Sequence, residues 1–239
     1  MVLAAGLGTR LRPLTNDRPK ALATLAGRTL LEITLARLRS FGIRDGIVNA
    51  HHFADQVIEY LAANQNFGMH IEVSSEADLL DTGGGLKKAA WFFLDGGSHE
   101  PFVVHNVDVL STIDLNAMLR QHQERDALAT LAMQDRATSR PLLFDGGGQL
   151  RGRAQKGVTN PVLASLAFAG IHILSPRIFS LMREVGAFSI IDSYLRLAAV
   201  GETIAAFHAE DFYWRDLGRP ESLAQAEADI ASGYVPLSQ

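Results

Sequence analysis

The sequence contains no cysteine, which removes a disulfide framework, a thiolate metal site and a thiol nucleophile from consideration together. It also lacks a basic excess. Twenty-two lysines and arginines against 26 aspartates and glutamates leave a formal charge of −4, whereas a nucleic-acid-binding domain usually carries a positive surplus. No apolar run approaches the length of a membrane span, and no signal-peptide pattern precedes the first apolar block. Internal repeats and low-complexity stretches are missing as well. The expectation is a cytoplasmic protein that binds neither nucleic acid nor membrane, as a monomer or small homo-oligomer. The 239 residues suffice for a single α/β domain spanning 1–239 with its own core. The first apolar block begins so close to Met1 that a few upstream residues are expected to be missing.

Short apolar blocks alternate with helical spacing through the first half. "MVLAA" at the start, "GIVNA" (Gly46 to Ala50) and "HIEVSS" (His70 to Ser75) read as strands. Leu31, Leu35 and Leu38, and then Phe53, Val57 and Leu61, mark helices between them, the first stopped by Gly42. A turn at Gly83-Gly84-Gly85 is expected to precede a helix whose Trp91, Phe92 and Phe93 pack into the core. "PFVVHNVDVL" (Pro101 to Leu110) predicts one central strand ending in polar residues, followed by a helix over Asp114 to Arg125. Further on, Ala127 to Met133, Arg140 to Asp145 and Ser165 to Leu174 read as strands, with a hairpin turn at "DGGGQL" and a terminal helix opened by Pro220. This rhythm predicts an α/β fold, a mostly parallel sheet with helices on both faces. Ligands of such sheets bind beyond the carboxyl ends of the strands. The polar segments Gly6 to Lys20, Glu76 to Gly85 and Asn106-Val107-Asp108 fall there, and the Asp216 region is provisionally a fourth.

The segment "LAAGLGTRLRPLTNDRPKAL" (Leu3 to Leu22) is poor in regular-structure formers and follows directly on a strand. Gly6 and Gly8 open the backbone so that N–H groups can cradle an anion, and Arg10, Arg12 and Lys20 add positive charge. The planar fork of arginine suits phosphate oxygens, so a polyphosphate is the expected ligand. A dinucleotide fingerprint would need a third small residue where Leu11 stands, and a P-loop would need a Gly-Lys-Ser/Thr that the chain lacks.

The same segment resembles the G-x-G-[ST]-R-x-x-P-L-T…[RK]-P-K signature of the sugar-1-phosphate nucleotidyltransferases. "EADLLDTGGGLKKA", "VVHNVDVL", "FAGIHIL" and "YWRDLGRPESL" resemble further motifs of that family, so the likeness covers most of the chain. The three glycines after Thr82, on a chain this short, look most like the N-acetylmuramate-1-phosphate uridylyltransferase branch, with heptose- and mannose-1-phosphate guanylyltransferases as neighbours.

The resemblance implies a single-domain Rossmann-like fold of the GT-A type. It also implies attack by a sugar-1-phosphate oxygen on the α-phosphorus of a nucleoside triphosphate, with Mg²⁺ as cofactor. Asp108 and Asp216 would be its ligands; read as residues alone, each could equally serve an Asx turn or a helix cap. Arg10 would stabilise the departing pyrophosphate, and Lys20 the α-phosphate or the sugar phosphate. Backbone groups near Ala4, Ala5 and Gly6, with Gly8, Gly83 and Gly84, would hold the nucleotide. Glu76, Asn106 and Gly170 are candidates for substrate contacts, against a surface carboxylate for Glu76 and a bulge for Gly170. The family's usual Glu-Lys-Pro triplet is absent; Lys156 or Arg153 is a candidate substitute, against the favoured reading of a solvated hairpin residue, and Val107 replaces a small residue. His51-His52 is not expected to share a metal, because neighbouring residues on a strand point to opposite faces. Asn49 and His51 are candidates for lining the pocket.

Two other readings compete. A glycosyltransferase on a similar sheet would hold its metal with Asp-x-Asp, but Asp108 is followed by Val109-Leu110. A silent nucleotide-sugar sensor would have no use for Arg10, Lys20, Asp108 and Asp216 together.

Overall fold

The computed structural model describes residues 1–95, 99–154, 161–235 and 237. The architecture is α/β, and the chain packs as two compact units. The first gathers Met1–Asp81, His105–Thr112 and Tyr213–Gln239; the second gathers Thr82–Val104 and Ile113–Phe212.

In the first unit the parallel part of the sheet is built around the strand Val2–Leu3. It pairs in parallel with Asp45–Ala50 on one side, Leu3 opposite Asn49, and on the other with the end of Phe102–Asn106, Leu3 opposite Asn106. His70–Ser75 continues the sheet beyond Asp45–Ala50, in unbroken register from Asp45 with His70 to Ala50 with Ser75. Ile47, Val48, Asn49 and Ala50 are all buried in succession, as in a strand covered on both faces. The helix Leu30–Ser40 starts where the Thr29 side chain accepts from Glu32 N, and buries Leu31, Leu35 and Leu38. Ala54–Ala63 buries Val57 and Leu61, as their spacing requires.

One expectation fails here. Pro101 to Leu110 is not a single strand: Phe102–Asn106 ends in a turn at Val107-Asp108, and Val109–Ser111 resumes in a separate two-stranded ladder with Trp214–Asp216. The apolar pattern carries on across the break because Val107 is buried too, 1% exposed, with its carbonyl accepting from Thr34 Oγ1.

The second unit is more mixed. Ala129–Gln134 pairs in parallel with Ile204–His208 and antiparallel with Ala164–Leu174. Leu142–Phe144 pairs antiparallel with both Leu150–Arg153 and the start of Ala164–Leu174, and "DGGGQL" forms the expected hairpin turn. Leu115–Glu124 is capped by Asp114 and Ile190–Ala199 by Ser189. The three glycines do not form a turn. They lie inside the helix Asp81–Lys88, where a Cβ on Gly83 would overlap the ring of Phe188, so at Gly83 close packing outweighs poor helix propensity. Trp91 is half-exposed rather than core, whereas Phe93 stacks on Phe102 with ring centroids 3.9 Å apart.

No helix among the described residues is long and apolar enough to cross a membrane.

Candidate active site

The loop after Val2–Leu3 is irregular apart from two single-turn helical segments, Thr9–Leu11 and Lys20–Leu22. Ala4 and Ala5 are buried at its root, while Gly6 and Leu7 are exposed. Leu11, 0% exposed, anchors its middle. Gly8 has φ 65°, the left-handed region that a side chain resists. Its carbonyl accepts from Thr15 Oγ1 at 2.8 Å, and a Cβ there would stand 3.0 Å from Lys20 Cβ and 3.1 Å from Thr15 Cγ2. The buried Thr15 hydroxyl thus folds the loop back on itself, a role its place in the motif did not disclose.

This fold-back delivers Lys20 to Asp108. Lys20 Nζ donates to Asp108 Oδ2 at 2.7 Å, and the two side chains retain only 14% and 11% exposure, so solvent screens the pair poorly. The same ammonium lies 3.5 Å from where a Gly6 Cβ would be. Gly6, Lys20 and Asp108 are therefore brought together.

Asp216 arrives by the antiparallel ladder. It lies opposite Val109, and Leu217 N donates to the carbonyl of Asp108 at 2.7 Å, so the two aspartates occupy adjoining positions on paired chain segments. Asp216 Oδ1 accepts from Gly218 N at 2.7 Å, which is an Asx turn; the following helix Pro220–Ala231 has Arg219 at its N-cap, with no side-chain cap bond. Arg10 lies beside this carboxylate, its terminal nitrogen 4.0 Å from Asp216 Oδ2, with both side chains about half exposed. Gly218 closes the cluster: a Cβ there would lie 2.7 Å from both Arg10 Nη2 and Asp216 Oδ1. Sequence reasoning passed over Gly218, although its place two residues after Asp216 is the signal for it.

The remaining candidates fall as follows. Asn106 is half-buried at the end of its strand, opposite Leu3. Glu76 is not a surface carboxylate but 4% exposed, accepting from Asn49 Nδ2 at 2.7 Å and from Leu80 N at 3.0 Å. His51 Nδ1 meets the Glu76 carbonyl at 2.9 Å, and the His52 ring packs on Phe53. Gly83, Gly84 and Gly170 belong to the second unit. There the Gly83 and Gly84 amides both donate to the Phe188 carbonyl, and Gly170, φ 77°, sits in the register shift between Phe168 and His172. Arg153 pairs with Asp192 at 3.6 Å. Lys156 lies outside the described residues. Among the described residues, no three carboxylate or imidazole side chains converge on a point where they alone could hold a metal.

A glycine-opened loop with two cations, each beside a carboxylate on a neighbouring segment, is suited to a polyanion with a counter-cation. The sequence profile of the nucleotidyl transferase family matches residues 1–233. The chain belongs to that family. An N-acetylmuramate alpha-1-phosphate uridylyltransferase of Caulobacter vibrioides is 35% identical over 97% of this chain and 96% of its own length. A mannose-1-phosphate guanylyltransferase of Mycobacterium tuberculosis is 27% identical over 99% of this chain, which spans 65% of that relative. Among solved structures, HddC from Yersinia pseudotuberculosis complexed with GMP-PN superposes with a TM-score of 0.77, over 96% of this chain and 97% of its own, at 23% identity, a likeness of fold. This nucleotidyltransferase has a Rossmann-like fold with a mostly parallel sheet, and it is an enzyme acting on sugar-1-phosphates.

Proposed function

We propose that the enzyme transfers a uridylyl group from UTP to N-acetylmuramate-1-phosphate, acting as one nucleotidyltransferase domain over residues 1–239. The 35% identity to the Caulobacter relative, against 27% to the guanylyltransferase, supports this substrate pair. The chemistry rests on a single observation: Lys20 on Asp108 and Arg10 beside Asp216, gathered by one loop and one ladder.

In the proposed reaction a phosphate oxygen of the sugar-1-phosphate forms a bond to the α-phosphorus, and the bond from that phosphorus to the pyrophosphate oxygen breaks. A phosphate monoester loses its second proton at about pH 6, so the nucleophile is already largely anionic and no general base is required. The enzyme must instead overcome repulsion between two anions and align them. Backbone N–H groups from Ala4 to Gly8 would cradle the triphosphate, Arg10 would meet the charge that grows on the pyrophosphate, and Lys20 would bridge the α-phosphate. Asp108 and Asp216 would hold Mg²⁺, which supplies further charge neutralisation. The donor set fits that ion: two hard carboxylates leave the remaining positions to phosphates and water, and Asp108 already has one cation, the Lys20 ammonium, seated against it. Nucleoside triphosphate as substrate is consistent with a cytoplasmic enzyme.

The test is pyrophosphate release from UTP, GTP and dTTP, each with a panel of sugar-1-phosphates and Mg²⁺. UTP with N-acetylmuramate-1-phosphate is expected to be turned over most efficiently. GTP with mannose- or heptose-1-phosphate in first place would reassign the substrates, and silence with every pair would overturn the reading.

A further inference from the structure

The strand Val2–Leu3 gives way to the loop at Ala4, and its amide is held by a side chain. Ala4 N donates to Asn49 Oδ1 at 2.7 Å, across 45 residues. Asn49 stands opposite Leu3 in the neighbouring strand and is 2% exposed. Its Nδ2 donates in turn to Glu76 Oε1, and Glu76 Oε2 accepts from Leu80 N. The backbone of Glu76 is pinned as well, its N–H donating to the Ala50 carbonyl at 2.7 Å. A carboxylate so far from water is costly unless its oxygens are bonded, and here both are. The orientation of the Asn49 amide is dictated from both sides, by a donor at Ala4 and an acceptor at Glu76.

We infer that Asn49 and Glu76 are positioning residues for the nucleotide. They clamp the Ala4 amide and so fix where the chain leaves the sheet for Gly6 and Gly8, with Glu76 acting through Asn49 rather than on the substrate. The inference rests on the reading of that loop as the triphosphate cradle. Leverage is high because the clamp sits at the root of the loop, only two residues before Gly6, and misplacement by about 1 Å can cost about 10²-fold in a positioned site.

Reversing the hydrogen-bond polarity tests it. In Glu76→Gln the new amide cannot accept from both Asn49 and Leu80. In Asn49→Asp two carboxylate oxygens face each other at the former hydrogen-bond distance. In the double variant the amide nitrogen introduced at position 76 donates to the carboxylate introduced at position 49. That carboxylate still accepts from Ala4 N, and the amide oxygen at position 76 still accepts from Leu80 N.

The readouts are the calorimetric Kd for UTP and for GTP, each with Mg²⁺, the melting temperature, and hydrogen exchange at the Ala4 amide. Each single variant should weaken the tighter nucleotide about tenfold or more, and the double should return to within about threefold of the parent. Ala4 should be protected in the parent, exchange faster in the singles and recover in the double. A double variant that binds no better than the worse single assigns Glu76 to direct substrate contact and overturns the inference. Singles that melt lower but bind nucleotide like the parent overturn it too, as does a freely exchanging Ala4 amide in the parent, which needs no variant to fold. These readouts do not depend on turnover, so an enzyme inactive on every substrate pair would refute the proposed reaction while the clamp is still judged on its own.

Discussion

Lys20 and Asp108, 88 residues apart in the chain, form a 2.7 Å ion pair that is largely withdrawn from water, whereas Arg10 and Asp216 approach only to 4.0 Å in the open. Solvent screens the first pair poorly and the second well.

That contrast separates two variants. Lys20→Met strips a nearly buried carboxylate of its ammonium and should cost up to about 3 kcal/mol of stability. Arg10→Ala breaks a solvated contact and should cost less than about 0.5 kcal/mol. Both should lose turnover, Arg10→Ala through kcat more than through sugar-phosphate affinity. Urea unfolding beside steady-state kinetics measures the two effects separately, and equal destabilisation by both would contradict the difference in burial.

Asp108→Asn keeps the shape of the side chain and a hydrogen bond to Lys20. It should fold, yet release pyrophosphate at least about 100-fold more slowly, the scale of losing a major electrostatic contact to the reacting groups. Any rise in melting temperature that Mg²⁺ gives the parent should shrink in this variant, because stabilisation by a ligand follows its affinity for the folded state. Normal turnover would remove Asp108 from the metal site.

Gly218→Ala places a methyl group where Asp216 Oδ1 and the Arg10 guanidinium now lie. Arg10 is long and can swing away, but the short Asp216 side chain must give up its bond to Gly218 N. A fall in kcat of about tenfold or more is expected from such misplacement. Gly27→Ala is the control: its φ of 78° strains an alanine, unlike that of Gly218, but nothing lies within 4 Å of its Cβ position, so it should lose stability and keep kcat.

Stability should fall in acid through two histidines. Burial, reinforced by the nearby Arg37 charge, holds His105 down to about 3 from its ordinary 6.5, and burial holds His122 down to about 4. Below pH 6.5 the unfolded chain takes up protons that the folded chain refuses, so stability declines as pH falls from there toward 4. The slope is about 1.4 kcal/mol per pH unit for each histidine, and neither contributes above about pH 7.5. Urea titrations at pH 7, 6 and 5 should show His122→Gln losing about 1.4 kcal/mol per unit less than the parent over the lower part of that range.

What the sequence disclosed was what is local. The glycines and cations of Leu3 to Leu22 lie within one segment, so the residues themselves raised them, and Asp216 lies in a short motif with Trp214 and Gly218 that the family resemblance raised. The strands Asp45–Ala50 and His70–Ser75 were legible for the same reason. What stayed hidden depends on partners distant in the chain. Nothing near Asn49 announces that it holds Ala4, and nothing near Glu76 announces that its charge is spent inside the protein. The break after Asn106 escaped notice because Val107 is buried on leaving the strand, which preserves the apolar pattern. At Gly83 the composition suggested a turn, but the ring of Phe188 claims the space a side chain would need.

The ladder between Val109–Ser111 and Trp214–Asp216 has a consequence for how such an enzyme can change. Three paired residues act as a gauge block between two carboxylates far apart along the chain, so inserting a single residue into either rung would swing Asp216 to the opposite side and spoil the gap. Redesign aimed at new sugars therefore has almost no freedom in the ladder itself.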